Sequence, residues 1–590
     1  MPMPAAAQES NLLKIPAVKN LLSYITAFVV IASAYILAPS LSFAQQNVSA
    51  SVNEYFRYGA GDEVQVYGTP AVGKKYLENF TTTQLTMGDF NAGFRYQLYD
   101  SAELYGQKFN GIKDAFVEYS KDSLYVRGGR IFGMFGRGLS LNLFENTSIY
   151  YDSGLDGLKV AYNKSLVGVN VDATALAGVM TFTDFTDPND IRMENYDLQA
   201  GQIGFSPQLD FLNNSRLGFG WVHATGVLPS PAPQFGVPDD SLNATLPSVN
   251  FDATTKDLEW YIEYAGKRTD NAYRPENGTG GNQWSGGMYS SLSYSHPGFG
   301  ATLEYKDYHY DVVDYNGQAN QIFLSTKALP FQNAPTLYKE QTYTLVTRVQ
   351  HPVDFNDEVG FQLDGFWSPQ DNVTVNFNAA CASQHYAYRT DSAGNETAIP
   401  RADTWLPDFN SAYAPYYEGF LEIEYDFKAD SYIKIAFDRT SIPSANALGT
   451  TPESSTAFPL FKGEYALSRE WGLNWDFENQ WINNPETHSD TTAPKFFVPN
   501  ASTYFSQLIS LGFTRSSIGG LTAIYEWSTQ TDDISGRRNW FLVEGTIRIG
   551  SANTIIISDG EERGGIRCSN GICRYINPFS GWRMTLSSQL

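Results

Sequence analysis

From about residue 47 to the end, the chain alternates apolar and polar residues in runs of roughly ten, separated by turn-forming stretches. Ala92, Phe94, Tyr96 and Leu98 alternate with Gly93, Arg95 and Gln97. Leu421, Ile423, Tyr425 and Phe427 alternate with Glu422, Glu424 and Asp426. Val373, Val375, Phe377 and Ala379 alternate with Thr374, Asn376 and Asn378. Phe541, Val543, Ile547 and Ile549 alternate with Glu544, Thr546 and Arg548. Neighbouring side chains of a strand point to opposite faces, so a period of two marks strands with one apolar and one polar face. The chain is therefore read as all-β, with roughly 22–24 strands at about 23–25 residues each, loops included.

Such strands suit a soluble sandwich or a membrane barrel. Three features favour the transmembrane antiparallel β-barrel. Aromatic residues make up 15% of the chain, more than a soluble core needs, whereas barrels carry aromatic girdles at both bilayer interfaces. A secreted protein that binds sugars through aromatics is the other reading of that composition. Mean hydropathy is only −0.31, and after the N-terminal region no run reaches the ~18 apolar residues of a membrane helix. Barrel strands escape that test because only one face is apolar. Finally, the chain stops on an amphipathic run. Trp582, Met584, Leu586 and Leu590, with Ser588 among them, share one face, and Arg583, Thr585, Ser587 and Gln589 share the other. Barrel-assembly machinery is the partner expected to read such a strand. Its usual last residue is aromatic, so Leu590 is a small departure.

The N-terminus reads as an export signal. Lys14 and Lys19 precede an apolar stretch from Leu21 to Leu41, and Ser42-Phe43-Ala44 places small residues at −3 and −1 before Gln45. The expected organisation is a cleaved signal peptide, 1–44, and one barrel domain, 45–590. The stretch is also long enough for an uncleaved anchor. Export from a Gram-negative bacterium leads to the outer membrane, with its lipid as the surrounding partner. Strand-like sequence begins by about residue 47, so no N-terminal plug domain is visible. That argues against a receptor driven from the inner membrane.

Turn lengths supply the expected orientation, since barrels have short periplasmic turns and long outer loops. Short turns are read at 121–123, 163–165, 428–430, 515–518 and 550–553. Long polar stretches are read at 227–255, 385–415, 442–456, 483–503 and 561–580. Between 311 and 357 the alternation fails. Either a strand lies near 319–327, or the segment folds into the lumen.

Two of the three cysteines flank Ser569-Asn570-Gly571-Ile572. Asn-Gly is the strongest signal for a two-residue hairpin turn. With that pair at the tip, Cys568 faces Cys573 at a non-hydrogen-bonded position, roughly 4.5–5.5 Å apart and within disulfide reach. The expectation is a Cys568–Cys573 disulfide stapling a surface hairpin, worth roughly 2 kcal/mol for so short a loop.

The chemistry of enzymes is not visible. His-Glu-x-x-His, Gly-x-Ser-x-Gly and phosphate-binding Gly-Lys-Ser/Thr motifs are absent. The six histidines (His223, His296, His309, His351, His385 and His488) are scattered and read as loop or interface residues. Asp311, Asp314, Asn316 and Gly317, and likewise Asp152 to Gly157, resemble half of a calcium loop. Both lack the downstream bidentate Glu and read as turns. No catalytic residue, metal or cofactor is expected. A net charge of −23 also sets aside nucleic acid, which needs a basic footprint.

The most informative stretch is 116–160. It holds Val126-Arg127-Gly128-Gly129-Arg130, Phe135-Gly136-Arg137-Gly138-Leu139, Asn142 to Asn146 and Asp156-Gly157-Leu158-Lys159-Val160. A strand ending in Gly-Arg, a Gly-rich loop and an Asp-Gly that opens the next strand resemble substrate-selective outer-membrane porins, in which a loop bends inward and narrows the pore. The same stretch, with Asn333 to Glu340 and the Cys568–Cys573 end, is similar to an uncharacterised family of large outer-membrane barrels. That resemblance covers most of the mature chain and implies fold and location but no substrate.

Alternation puts Arg95, Glu118 and Arg127 on one polar face. Arg130 is an odd number of residues from Arg127, so a bulge at Gly128-Gly129 is expected to rotate it inward. Arg137 is then expected to face Glu145, Asp152 or Asp156 across the lumen, because opposed charges set selectivity in pores. The other reading of these residues is an Arg–carboxylate network that stiffens the wall. Two functional classes follow. One is a porin-like passive channel for small polar solutes with a modest cation preference. The other is a closed-lumen barrel that binds at the surface or serves as structure. An outer-membrane enzyme has no motif behind it, and oligomeric state is open.

Overall fold

Strand pairing runs around the molecule without a break. The computed structural model describes residues 48–590 apart from 66–68, 105, 185–191, 210, 229–239, 271–283, 311–328, 352, 391–395, 447–448, 484–502, 532 and 570–571. One sheet holds 24 strands, all antiparallel, and the last, Phe579–Gln589, pairs with the first, Val48–Glu63. Closure removes the sheet edges that would otherwise offer unpaired backbone groups. The terminal run makes this closure: Trp582 lies opposite Ala60, Met584 opposite Tyr58 and Leu586 opposite Phe56. Val52 and Leu590 exchange backbone hydrogen bonds of 3.0 and 2.9 Å at the seam.

The apolar faces point outward. On Tyr416–Lys428, Leu421, Ile423, Tyr425 and Phe427 are 40–45% exposed while Glu418 and Glu422 are buried. A water-soluble sheet would do the reverse, so the exposed apolar belt is a lipid face. The protein is a transmembrane antiparallel β-barrel. Among the described residues no helix is long and apolar enough to cross a membrane.

Short turns and longer connections alternate around the barrel except between Ser431–Asn446 and Gly449–Ala466, which only two residues join at the long-loop end. Val48 and Leu590 both lie at the short-turn end. Three expectations need correction. The turn placed at 163–165 is at Val167-Gly168, where both residues have positive φ (49° and 80°). Most of 227–255 is strand, Asp240–Thr254. The stretch 442–456 is not a loop either: it continues the paired strands Ser431–Asn446 and Gly449–Ala466. Polar sequence misleads here because a hairpin that extends beyond the bilayer has no lipid to face on its outer side. The signal peptide expected over 1–44, the strand near 319–327 and the Asp311–Gly317 turn lie outside the described residues, as does His488.

The interior is filled at one end only. On Tyr416–Lys428 the inward residues Tyr416, Glu418, Phe420 and Glu422 are buried, Glu424 is half-buried and Asp426, beside the short turn, is exposed. Trp471–Asn483 shows the same gradient: Glu478, Gln480 and Ile482 are buried, whereas Gly472, Asn474 and Asp476 are not. The short-turn half is a polar vestibule, and the long-loop half holds the protein's core.

Connections build that core by folding inward. The loop between Leu124–Ile131 and Leu155–Leu166 lays Phe135, Leu141, Leu143, Ile149 and Tyr151 against Leu176, Tyr196, Val222 and Leu246 of the wall. Residues 329–356 form a strap along the inner wall. Phe331 joins the same apolar cluster, Leu337 packs near Tyr308, and Tyr343 and Val346 pack near Phe420 and Leu460. Of the two alternatives for 311–357, the described part takes the inward one. The paired strands Gly565–Ser569 and Ile572–Ile576 also turn inward: Ile572 lies in the cluster with Phe331, and Arg574 is fully buried. This hairpin is thus no surface feature. Its register sets Cys568 opposite Cys573, but both side chains lie outside the described residues.

The connection 384–415 goes the other way and covers the outside of the wall. On Phe299–His309, Lys306 points inward and donates to the strap's Thr336 carbonyl (2.8 Å). Asp307 and His309 alternate with it and face outward. Asp357 faces outward likewise, one position before Glu358, which pairs with Lys306 inside. Asp357 is nevertheless fully buried, because His385 sits on it. Its Nδ1 is 2.7 Å from Asp357 and its Nε2 is 3.1 Å from Asp307, at a poor angle for a hydrogen bond. The His385 ring stacks on His309 at 4.9 Å. This outer flap has no counterpart in the alternation pattern, which speaks only of strands.

Candidate functional site

The charged residues singled out in the sequence meet on one sector of the inner wall. Asp114 lies opposite Arg95, and Glu118 opposite Arg127, in a register shifted by one residue between Arg95 and Tyr96. Arg95 grips Glu145 of the inward loop with two bonds of 2.6 Å and reaches Asp114 at 2.6 Å. Planar guanidinium groups favour such forked contacts. Arg127 pairs with Glu118, which also accepts from Asn91 (2.8 Å) and Tyr125 (2.6 Å). Its guanidinium lies 4.0 Å from the Phe116 ring.

Arg130 joins the same network by a different route from the one expected. Gly128 and Gly129 keep unbroken register with both neighbouring strands, so no bulge exists there. The change of direction comes at Gly129, whose φ is +103° and where a Cβ would strike the Ala115 carbonyl. Only glycine tolerates both conditions. Arg130 reaches Asp152, Asp156 (3.1 Å) and Asp114 (3.4 Å), and Lys113 adds a 2.7 Å contact to Asp152.

Arg137 does not take part. The Gly-rich loop carries it along the inner wall to the strand Leu258–Asp270, where it lies 3.8 Å from Glu259 and over the Tyr261 ring. Its backbone N–H donates to Glu263 at 2.6 Å. Glu145, Asp152 and Asp156 are instead held by Arg95, Lys113 and Arg130. The loop's length decides this, because it runs along the inner wall over four strands before turning back, which residue spacing cannot show.

A second charged group continues the sector. Arg57 binds Glu78 (2.9 Å) and Glu103 (2.8 Å), and Lys74 binds Glu63 (2.6 Å). Tyr150 of the inward loop donates to Glu78. A small cavity beside it is lined by Glu63, Lys74, Glu103, Asn577 and Arg583.

Sequence reasoning missed what holds the strap. Wall carboxylates accept its backbone N–H groups and cations. Glu478 accepts from Thr344 (2.8 Å) and Leu345 (2.7 Å), Glu358 from Asp354 (3.0 Å), and Glu526 binds both Arg348 (2.8 Å) and Arg563 (2.9 Å). Lys339 pairs with Asp364 (2.7 Å), and Tyr343 donates to Glu422 (2.7 Å). A buried acid accepting charge-assisted bonds is a strong anchor. The visible signal was a series of acids on polar strand faces, which by itself looks like a wet lumen.

A closed lipid-facing barrel with inward-folded connections defines an outer-membrane β-barrel. The chain belongs to a family of unknown function, DUF6029, whose model matches residues 18–590. No curated protein matches. Among solved structures, the siderophore receptor PirA from Pseudomonas aeruginosa matches with a TM-score of 0.40 at 8% identity, covering 92% of this chain and 80% of that one. PirA from Acinetobacter baumannii gives 0.42 at 6% identity, covering 93% and 81%. The copper transporter OprC gives 0.39 at 8% identity, covering 92% and 80%.

Proposed function

We propose that the protein is a narrow, porin-like channel of the Gram-negative outer membrane, exported by its signal peptide, that passes small polar solutes along the charged sector between Val48–Glu63 and Leu124–Ile131. One contrast carries this reading. Side chains of Arg57, Arg95, Glu118, Arg127, Glu145 and Asp152 retain 15–20% of their exposure. Lys306, Glu358, Glu478 and Glu526, under the strap, retain 0–6%. Water reaches the first group and not the second. Arg130 and Glu78 inside the sector keep only 3%, and the strap's Arg348 and Lys339 keep 20% and 28%, so it is the unbroken run of wetted charge that supports a polar route from the vestibule along that wall. Mixed charge in a narrow passage sets solute preference, and the acidic excess favours cations.

The second reading, a closed barrel that binds at its surface, is favoured by the apolar cluster that fills the long-loop half. Single-channel recording of the refolded protein in a planar bilayer separates the two. Small stable steps, with ion preference shifted by Arg127→Ala or Arg95→Gln, support the channel. A well-inserted, silent barrel sinks it and leaves the closed reading.

A further inference from the structure

We infer that the tip of the outer flap, Trp405 to Phe409, dips into the lipid at the membrane interface of the long-loop end. The inference is independent of whether the lumen conducts.

The flap is fastened to the outer wall at the tip and just before it. Ser383, an outward residue of the strand Val373–Ser383, accepts from the backbone N–H of Asp408 (2.8 Å) and from Arg401 (3.3 Å). Lower down, the outward Tyr305 donates its hydroxyl to the Trp405 carbonyl at 3.1 Å. Tyr305 packs on Phe361 with ring centroids 4.8 Å apart. The next outward residues toward the short-turn end, Leu303 and Leu363, are 47% and 40% exposed and belong to the lipid-facing belt. The tip therefore hangs at the rim of that belt.

What it presents there is apolar. Trp405, Leu406 and Phe409 are 65%, 56% and 61% exposed. The polar groups of the tip face their own backbone: Asp403 accepts from the Trp405 N–H (3.0 Å), Asp408 from Asn410 (2.8 Å) and Asn410 from Ala412 (3.0 Å). These bonds fix the loop's shape in advance, and the three apolar side chains share its outward surface with the exposed Asp403 and Asn410. Tryptophan beside leucine and phenylalanine is the composition that settles at the boundary between headgroups and acyl chains. Continuity with the belt selects the lipid of the same bilayer as the occupant, rather than a second copy of the chain.

The test compares wild type with Trp405→Phe in phosphatidylcholine vesicles brominated near the carbonyl end or near the chain end. The difference in emission isolates Trp405. Its signal is expected to be blue-shifted and to lose more intensity to the shallow bromines than to aqueous iodide or to the deep bromines. Adding Phe409→Trp to Trp405→Phe should restore a lipid-quenched signal. Both variants must keep the heat-modifiable gel mobility of a folded barrel. A red-shifted signal quenched by iodide alone overturns the inference. So does a signal that neither quencher reaches, together with cross-linking between chains through Leu406→Cys, which would assign the patch to a second copy.

Discussion

Glu478 illustrates how much one side chain does inside this barrel. It is fully buried and accepts two strap N–H groups, while Gln480, two positions along the same inward face, donates to the Leu345 carbonyl at 2.9 Å. Removing the acceptor leaves the buried Leu345 N–H unsatisfied, at about 1–3 kcal/mol, and takes the partner from the more exposed Thr344 N–H. Glu478→Ala should accelerate hydrogen exchange at Thr344 and Leu345 and lower the midpoint of denaturant unfolding in detergent. Glu478→Gln, which keeps one acceptor, should fall between it and wild type. Equal behaviour of all three proteins would mean that the strap is held by its apolar contacts alone. The same scale explains why Glu422 was recognisable as a polar-face residue but neither it nor Glu478 as an anchor. Alternation assigns a face to a side chain, whereas its partner lies more than a hundred residues away in the case of Glu478.

At the scale of elements, the flap and the inward hairpin make separate predictions. His385 holds the base of the flap. Its burial opposes the charged form, but the contacts to Asp307 and Asp357 outweigh this and raise its pKa from 6.5 to about 9. A folded-state value above the unfolded one means that protonation stabilises the docked flap. The contribution is complete below pH 6.5 and disappears as pH rises through about 9. Limited proteolysis within 384–415 should therefore be slow at pH 6 and fast at pH 10. His385→Ala should be cleaved quickly at both, and an unchanged pH profile in that variant would remove His385 from the account. In the hairpin, the facing register of Cys568 and Cys573 supports the proposed disulfide, which would hold an inward rather than a surface element. Alkylation mass spectrometry without reductant should leave both thiols unlabelled, and labelling of both would refute the bond.

At the scale of the whole molecule, the inward loop, strap and hairpin share one apolar cluster, so they narrow the long-loop half as a unit. A barrel of 24 strands is wide enough to need such filling or else to conduct freely. Replacing strap residues 336–349 by a short Gly-Ser linker should preserve heat-modifiable mobility and β-type circular dichroism, because the strand ladder is separate from the strap. Conductance should rise several-fold over that of wild type, as in wide water-filled barrels. A folded variant with unchanged conductance would place the barrier in the inward loop and hairpin instead.

The class of fold, the near-complete strand count, the lipid-facing residues, the closing strand and the shared face of Arg95, Glu118 and Arg127 were all legible in the linear sequence. Each depends on a local rule: side chains alternate, tight turns need particular residues, and a membrane strand must be apolar on its outer side. The pairing of Arg137 with Glu259, the route of Arg130 through Gly129, the inward turn of the cysteine hairpin and the outer flap over Asp357 were decided only by tertiary structure. A long connection has no period to read. Its direction, into the lumen or over the wall, follows from which distant surfaces it can bury, and those surfaces exist only once the barrel has closed.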